Sequence, residues 1–258
     1  MNYNLIASGS KGNSLIVKSN DTFLLFDFGI SKKRVNEGLQ VFSSNLNKVE
    51  AFFLTHTHSD HASNIFNAPK EKIYCGAKKI KNNKNSDLIL IDEDKILKDF
   101  KPVFIDDIKV TPLPLSHDCR DCKTYGFLIE DKDSKLSYIT DTGFIPEKNF
   151  DYLINLDYYI FESNHDPKML YESNRPEYLK NRIISDKGHL SNSDCSYYLA
   201  NLIGEKTKEV VLSHLSEECN NKEVAIDTFY SVCSSILGYI PDVKLKVSSY
   251  DEMIIGGN

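Results

Sequence analysis

One stretch constrains this chain more than any other: Thr55-His56-Thr57-His58-Ser59-Asp60-His61, directly after the apolar run Ala51-Phe52-Phe53-Leu54. Three imidazoles and a carboxylate stand within six residues. An exposed histidine cluster gains no stability, and a buried one must satisfy every ring nitrogen. A metal ion answers both objections. Neutral imidazole with carboxylate suits Zn²⁺, Mn²⁺ or Fe²⁺. A fold that carries this stretch must therefore deliver it from a rigid buried strand.

Ligand-type residues recur in the same setting along the chain. Asp27, His117, Asp141, Glu162 and His214 each follow an apolar run with the length and composition of a strand. Layered α/β folds collect their sites on loops at strand ends, where a rigid scaffold places reachable side chains. The pattern predicts a mixed α/β fold. Strands are expected at residues 4–7, 15–17, 23–26, 49–54, 72–75, 88–91, 108–115, 125–129, 136–139, 158–161, 209–212 and 244–247. Helices are expected at 31–40, 167–184, 193–203 and 222–237, with Ser31 capping the first and Ser191 or Ser193 the third. The lysine- and asparagine-rich run 78–84 reads as a solvated face or loop. No internal repeat and no Pro/Ser-rich linker interrupts residues 1–258, which read as one domain.

Composition removes several classes. The net charge of −6 argues against a globally basic nucleic-acid binder, though not against a local basic patch. No apolar window approaches the length of a membrane span, and no signal peptide is visible at the start, so a cytoplasmic protein is expected. In that reducing compartment the six cysteines are expected as free thiols. Cys119 and Cys122 form a single C-x-x-C, short of the four ligands that a structural zinc site needs. No G-x-S-x-G and no P-loop is present, which disfavours serine-type and nucleotide hydrolysis.

Thr-His-x-His-x-Asp-His, a later histidine, a later Thr-Asp-x-Gly and a final strand followed by histidine resemble the metallo-β-lactamase fold hydrolases. Ala7-Ser8-Gly9-Ser10-Lys11-Gly12-Asn13-Ser14, Phe161-Glu162-Ser163-Asn164-His165-Asp166, Gly188-His189-Leu190-Ser191-Asn192 and Leu212-Ser213-His214-Leu215-Ser216 look like the bacterial YycJ/WalJ-type branch. The resemblance implies a four-layer αββα sandwich with two mixed sheets and a two-metal site at one edge. It implies His56, His58 and His117 on one metal, Asp60, His61 and His214 on the second, and Asp141 bridging both, with Asp27 orienting the histidine loop. It implies two divalent ions, Zn²⁺ or Mn²⁺, and 5′→3′ exonuclease activity on DNA with a metal-bridging hydroxide as nucleophile.

The residues permit that chemistry. Paired cations activate a water and neutralise charge on a phosphodiester in flight, and no nucleophilic side chain is required. The leaving oxygen still needs a proton. Glu162 and His189 resemble the pair that serves the leaving group in tRNase Z relatives, and together with Asp60 they form the expected catalytic set. His165 reads equally as a loop histidine. Residues 8–14 either cradle phosphate, through Ser10, Lys11 and Asn13, or simply connect two strands. Arg182 and Lys187 are candidate backbone contacts near His189. The competing reading is a metallo-hydrolase of a small or cyclic phosphodiester, thioester or lactam, because one metal core hosts all of these. The oligomeric state has no sequence signature here.

Overall fold

In a computed structural model of the chain, residues 1–82 and 87–258 are described; residues 83 and 84 of the lysine-rich run lie outside them. The backbone clusters into two compact units. One holds residues 1–114, 119–134 and 249–258, the other 115–118 and 135–248.

The first unit opens with an antiparallel meander, β1 (Asn2–Ala7), β2 (Ser14–Ser19) and β3 (Thr22–Phe26). Helix α1 (Lys32–Gln40) follows, with the Ser31 hydroxyl accepting from Arg34 N–H as its cap. Val35 and Leu39 face inward from it and join Ile6, Ile16, Phe28 and Phe52 in one buried cluster. Each such side chain, fully buried, contributes about 1.5–3 kcal/mol. Strand β4 (Val49–Phe53) pairs parallel with β3, in a register that sets Phe53 opposite Phe26. Their rings stack at 5.2 Å, and Phe53 stacks on Tyr74 at 4.9 Å. The histidine stretch leaves β4 and enters a single turn, α2 (Ser59–Ala62). After it come β5 (Ile73–Tyr74), the hairpin of β6 (Lys79–Lys81) with β7 (Leu88–Leu90), and the antiparallel run β8 (Val103–Ile105), β9 (Ile108–Pro114) and β10 (Tyr125–Glu130). Ile80 is buried within the run expected to be solvated, because β6 pairs with β7.

The second unit is built on four adjacent parallel strands. These are β11 (Lys135–Ile139), β12 (Tyr158–Glu162), β13 (Glu209–Ser213) and β14 (Lys244–Val247). The short α3 (Phe150–Leu153) precedes β12. Between β12 and β13 come α4 (Pro167–Glu172), α5 (Glu177–Ile183) and α6 (Asn192–Leu202), and α7 (Lys222–Leu237) follows β13. Ser191 caps α6 by accepting from Asp194 N–H, and Asn221 caps α7 by accepting from Val224 N–H. Gly238 ends α7 in the left-handed conformation, φ 77°, where a residue without Cβ fits best. The continuous helix expected over 167–184 is instead broken. Pro176 has no N–H to give a helical bond and pushes the residue before it out of helical geometry.

The last strand, β15 (Ile254–Gly257), returns to the first unit and pairs antiparallel with β1. The chain thus forms two large mixed sheets, of six and seven strands, as the αββα class requires. Not expected from the sequence are β8, which forms a tight hairpin with the adjacent β9, and β15, whose partner β1 lies at the other end of the chain. Among the described residues no helix is long and apolar enough to cross a membrane.

Candidate active site

Parallel pairing explains where the site residues stand. In the first unit β3 and β4 end side by side, so Asp27 meets Thr55: Asp27 N–H donates to Phe53 O at 2.8 Å. Asp27 sits at φ 58°, a left-handed backbone that turns its carboxylate toward the histidine loop. Such a conformation costs a non-glycine residue of order 1–3 kcal/mol and persists where surrounding structure enforces it. The buried carboxylate accepts from Thr55 N–H at 2.9 Å, from Thr55 Oγ1 at 3.0 Å and from His61 Nδ1 at 2.8 Å. The Thr55 hydroxyl lies 3.0 Å from His56 Nδ1. Since its one hydrogen goes to Asp27, it accepts from His56. Both rings therefore carry their proton on Nδ1 and their lone pair on Nε2, the arrangement an oriented metal ligand needs. Asn13 marks the same tautomer, its amide lying 2.9 Å from His61 Nε2.

Asn13 is fully buried. Its side chain exchanges hydrogen bonds with Gly9, and its N–H donates to Asp60 O at 2.8 Å. Ser10 and Lys11, the other residues of that loop named as substrate contacts, are exposed. Gly29 lets the turn of α2 approach, because a Cβ there would overlap Asp60 O.

The second unit repeats the device. Asp141, Glu162 and His214 stand at the carboxyl ends of β11, β12 and β13, three neighbouring parallel strands. Asp141 and His214 also have left-handed backbones, φ 55° and 57°. His214 Nδ1 lies 2.7 Å from Thr140 Oγ1, whose hydroxyl donates to Asp141 Oδ2 at 2.8 Å. This threonine–aspartate–histidine arrangement matches that of Thr55, Asp27 and His61. His117 donates from Nδ1 to Gly188 O at 3.1 Å, and its Nε2 is 3.8 Å from Asp141 Oδ1. Burial pushes the His117 imidazole below its ordinary pKa, which favours the neutral ligand form.

Glu162 is buried and held from behind by Thr142 N–H at 2.9 Å. It meets His189 Nδ1 at 2.7 Å, and that nitrogen is 3.6 Å from Asp141 Oδ1. One ligand atom each from Asp141, Glu162, His189 and His214 lies within 4.8 Å of the others. This set of carboxylates and imidazoles suits a divalent cation. Arg182, a candidate substrate contact, is engaged with Asp118 through two hydrogen bonds of 2.6 and 3.1 Å, while Lys187 is exposed. His165 is buried, which lowers its pKa to about 4 and keeps it neutral.

Two further networks escape the sequence reading. Thr55 and Thr140 are ordinary in sequence, and only their contacts mark them as orienting groups. A buried amide clasp also joins the loops behind Glu162. Asn220 donates to Ser163 O and Asn164 O, and the Asn164 amide donates to His214 O at 2.9 Å. The cysteines differ from expectation as well. Cys119 and Cys122 are joined in a disulfide, their Cα atoms 5.7 Å apart across a tight turn, while Cys75, Cys195, Cys219 and Cys233 are free and buried.

Asp27→Asn is expected to lower divalent-metal affinity by about 10–100-fold, the usual weight of a group that orients a metal-binding imidazole. Competition against a chromogenic chelator measures this. Unchanged affinity would mean that His61 is held by other means.

Comparison with known proteins agrees with this architecture. Residues 24–215, a span reaching from before Asp27 to just past His214, match the beta-lactamase superfamily domain. Exodeoxyribonuclease WalJ of Streptococcus pneumoniae is 32% identical over 256 residues, covering 96% of this chain and 94% of that protein. Exodeoxyribonuclease YycJ of Bacillus anthracis is 32% identical over 234 residues, covering 87% of this chain and 86% of that protein. Among solved structures, the metallo-beta-lactamase fold protein YhfI of Bacillus subtilis superposes with a TM-score of 0.65 at 14% identity, covering 99% of each chain.

Proposed function

This chain belongs to the beta-lactamase superfamily and is a metal-dependent hydrolase, and from that premise we propose that it is an exodeoxyribonuclease attacking DNA from the 5′ end. The observation that carries the phosphodiester reading is the His189–Glu162 pair, 2.7 Å apart and beside Asp141. A thioester expels its thiolate with little help. A nucleotide alkoxide needs a proton, and an imidazole oriented by a buried carboxylate is built to give one. The names of the two curated relatives support DNA as substrate, and a DNA substrate in turn supports a cytoplasmic location.

Residues 1–258 are read as a single domain, and each ligand cluster suits a divalent ion. His56, His58 and His117 would hold one ion, and Asp60, His61 and His214 the other, with Asp141 shared. Zn²⁺ or Mn²⁺ suits these donors. Divalent ions bound there would supply Lewis-acid stabilisation and an activated water. The chain's own residues do the rest. Asp27 and Thr55 hold two imidazoles in the coordinating tautomer, and Thr140 does the same for His214. Glu162 fixes the His189 ring through Nδ1, so its Nε2–H points away and donates to the departing oxygen. Exposed Ser10, Lys11 and Lys187 would meet the DNA backbone, and Arg182 would do so from its pairing with Asp118.

The test is degradation of 5′- and 3′-labelled DNA beside a panel of thioesters and lactams. EDTA should abolish nuclease activity, and Zn²⁺ or Mn²⁺ add-back should restore it. Rapid thioester or lactam turnover with intact DNA would overturn this reading.

A further inference from the structure

The proposed chemistry makes no use of Cys119 and Cys122. Their setting sets them apart from the other four cysteines, which are buried thiols. Both are only half-buried, with exposed Arg120 and Asp121 between them. Small thiols and disulfides can therefore reach them, which is the first condition for exchange. Both sulfurs also touch the histidine loop. The Thr57 hydroxyl lies 3.4 Å from Cys119 Sγ and 3.4 Å from Cys122 Sγ, and Thr57 stands between His56 and His58. A disulfide sulfur has no hydrogen, so the hydroxyl is the donor, its single hydrogen shared between the two sulfurs.

We propose that Cys119 and Cys122 form a reversible thiol–disulfide site that controls how firmly the histidine loop holds its metal. This rests on the metal-dependent reading given above. Oxidation proceeds by exchange with a low-molecular-weight disulfide. One cysteine thiolate attacks a sulfur of that disulfide, forming a mixed disulfide and expelling one small thiol. The second cysteine thiolate attacks the mixed disulfide at the protein sulfur, closing the ring and expelling the second small thiol. The two cysteines give up two protons and two electrons, and the small disulfide accepts them; reduction runs the same steps backward. The closed ring presents two sulfurs at one distance from Thr57 and ties the histidine loop to the 119–122 bend. Opening the ring separates the sulfurs, so Thr57 keeps at most one of them and the loop between His56 and His58 loosens.

The experiment equilibrates full-length, metal-loaded protein in anaerobic glutathione buffers from reducing to oxidising. Differential alkylation and mass spectrometry then read the 119–122 peptide. In parallel, transfer of metal to a chromogenic chelator is timed, with a phosphine as reductant because a dithiol would itself bind metal. The 119–122 pair is expected to switch between two thiols and one disulfide while the four buried cysteines stay reduced. The reduced form should release metal roughly 10-fold faster, the lower range for groups that steady a metal ligand. Thr57→Val should release at the fast rate in both states, and Thr57→Ser, which keeps the hydroxyl, should behave as the parent. A pair that stays reduced throughout overturns the proposal. So does equal metal release in both states, or a Thr57→Val protein that keeps the full redox difference. Redox-dependent metal release without DNA degradation would leave this inference standing and remove the exonuclease reading. DNA degradation with equal metal release in both thiol states would do the reverse.

Discussion

Asp141→Ala is expected to reduce DNA degradation by more than about 100-fold and to strip the protein of most of its divalent metal, exceeding the usual loss for a group one bond removed from the metal. The expectation rests on position. Asp141 ends β11, its left-handed backbone turns the carboxylate into a cluster of imidazoles, and Thr140 fixes one of its oxygens. The fold should survive. An alanine in that conformation costs about 1–2 kcal/mol, and the removed carboxylate relieves a buried negative charge. His58→Ala should lose metal in the same way. Elemental analysis with a thermal melt checks both, and an Asp141→Ala protein of unchanged metal stoichiometry would remove Asp141 from the ligand set.

His189→Ala should show the opposite signature. Metal content stays near that of the parent while DNA turnover falls by roughly 10²–10⁴-fold, the range of a positioned acid. The loss should shrink sharply on bis(p-nitrophenyl) phosphate, whose phenolate leaves without a proton. Glu162→Gln should fall between the two, since its amide oxygen still accepts from Thr142 but no longer carries the charge that orients His189. An equal deficit on both substrates, or loss of metal, would mean that His189 acts as a ligand and not as the acid.

The two variants divide the site along the line that separates what was legible from what was not. The ligand types were legible because each follows an apolar run, and strand and ligand are both local signals. Of the chain's seven histidines, six stand in the two clusters, and only His165 lies outside them. Glu162 and His189 are separated by 27 residues; in the sequence only the resemblance pairs them, and in the fold they meet at 2.7 Å. The break between α4 and α5 was also signalled, by Pro176, and a continuous helix over 167–184 overlooks it. Other features had no local signal. Asn13 reads as a loop residue open to substrate, yet it is buried against Asp60 and His61, because a neighbouring turn closes over it. Cys119 and Cys122 read as free thiols, yet the turn between them brings them together.

The class of fold, the chemistry of the donors and their place at strand ends are legible along the chain, since they depend on alternation, composition and spacing. Which nitrogen of His56, His61, His117 and His214 carries the proton depends on contacts that form only in the fold. That choice belongs to Asp27, Thr55, Thr140 and the Gly188 carbonyl. Apart from the bond between the neighbours Thr55 and His56, it is made by hydrogen bonds between residues far apart in sequence, on backbones held in conformations that no local preference selects.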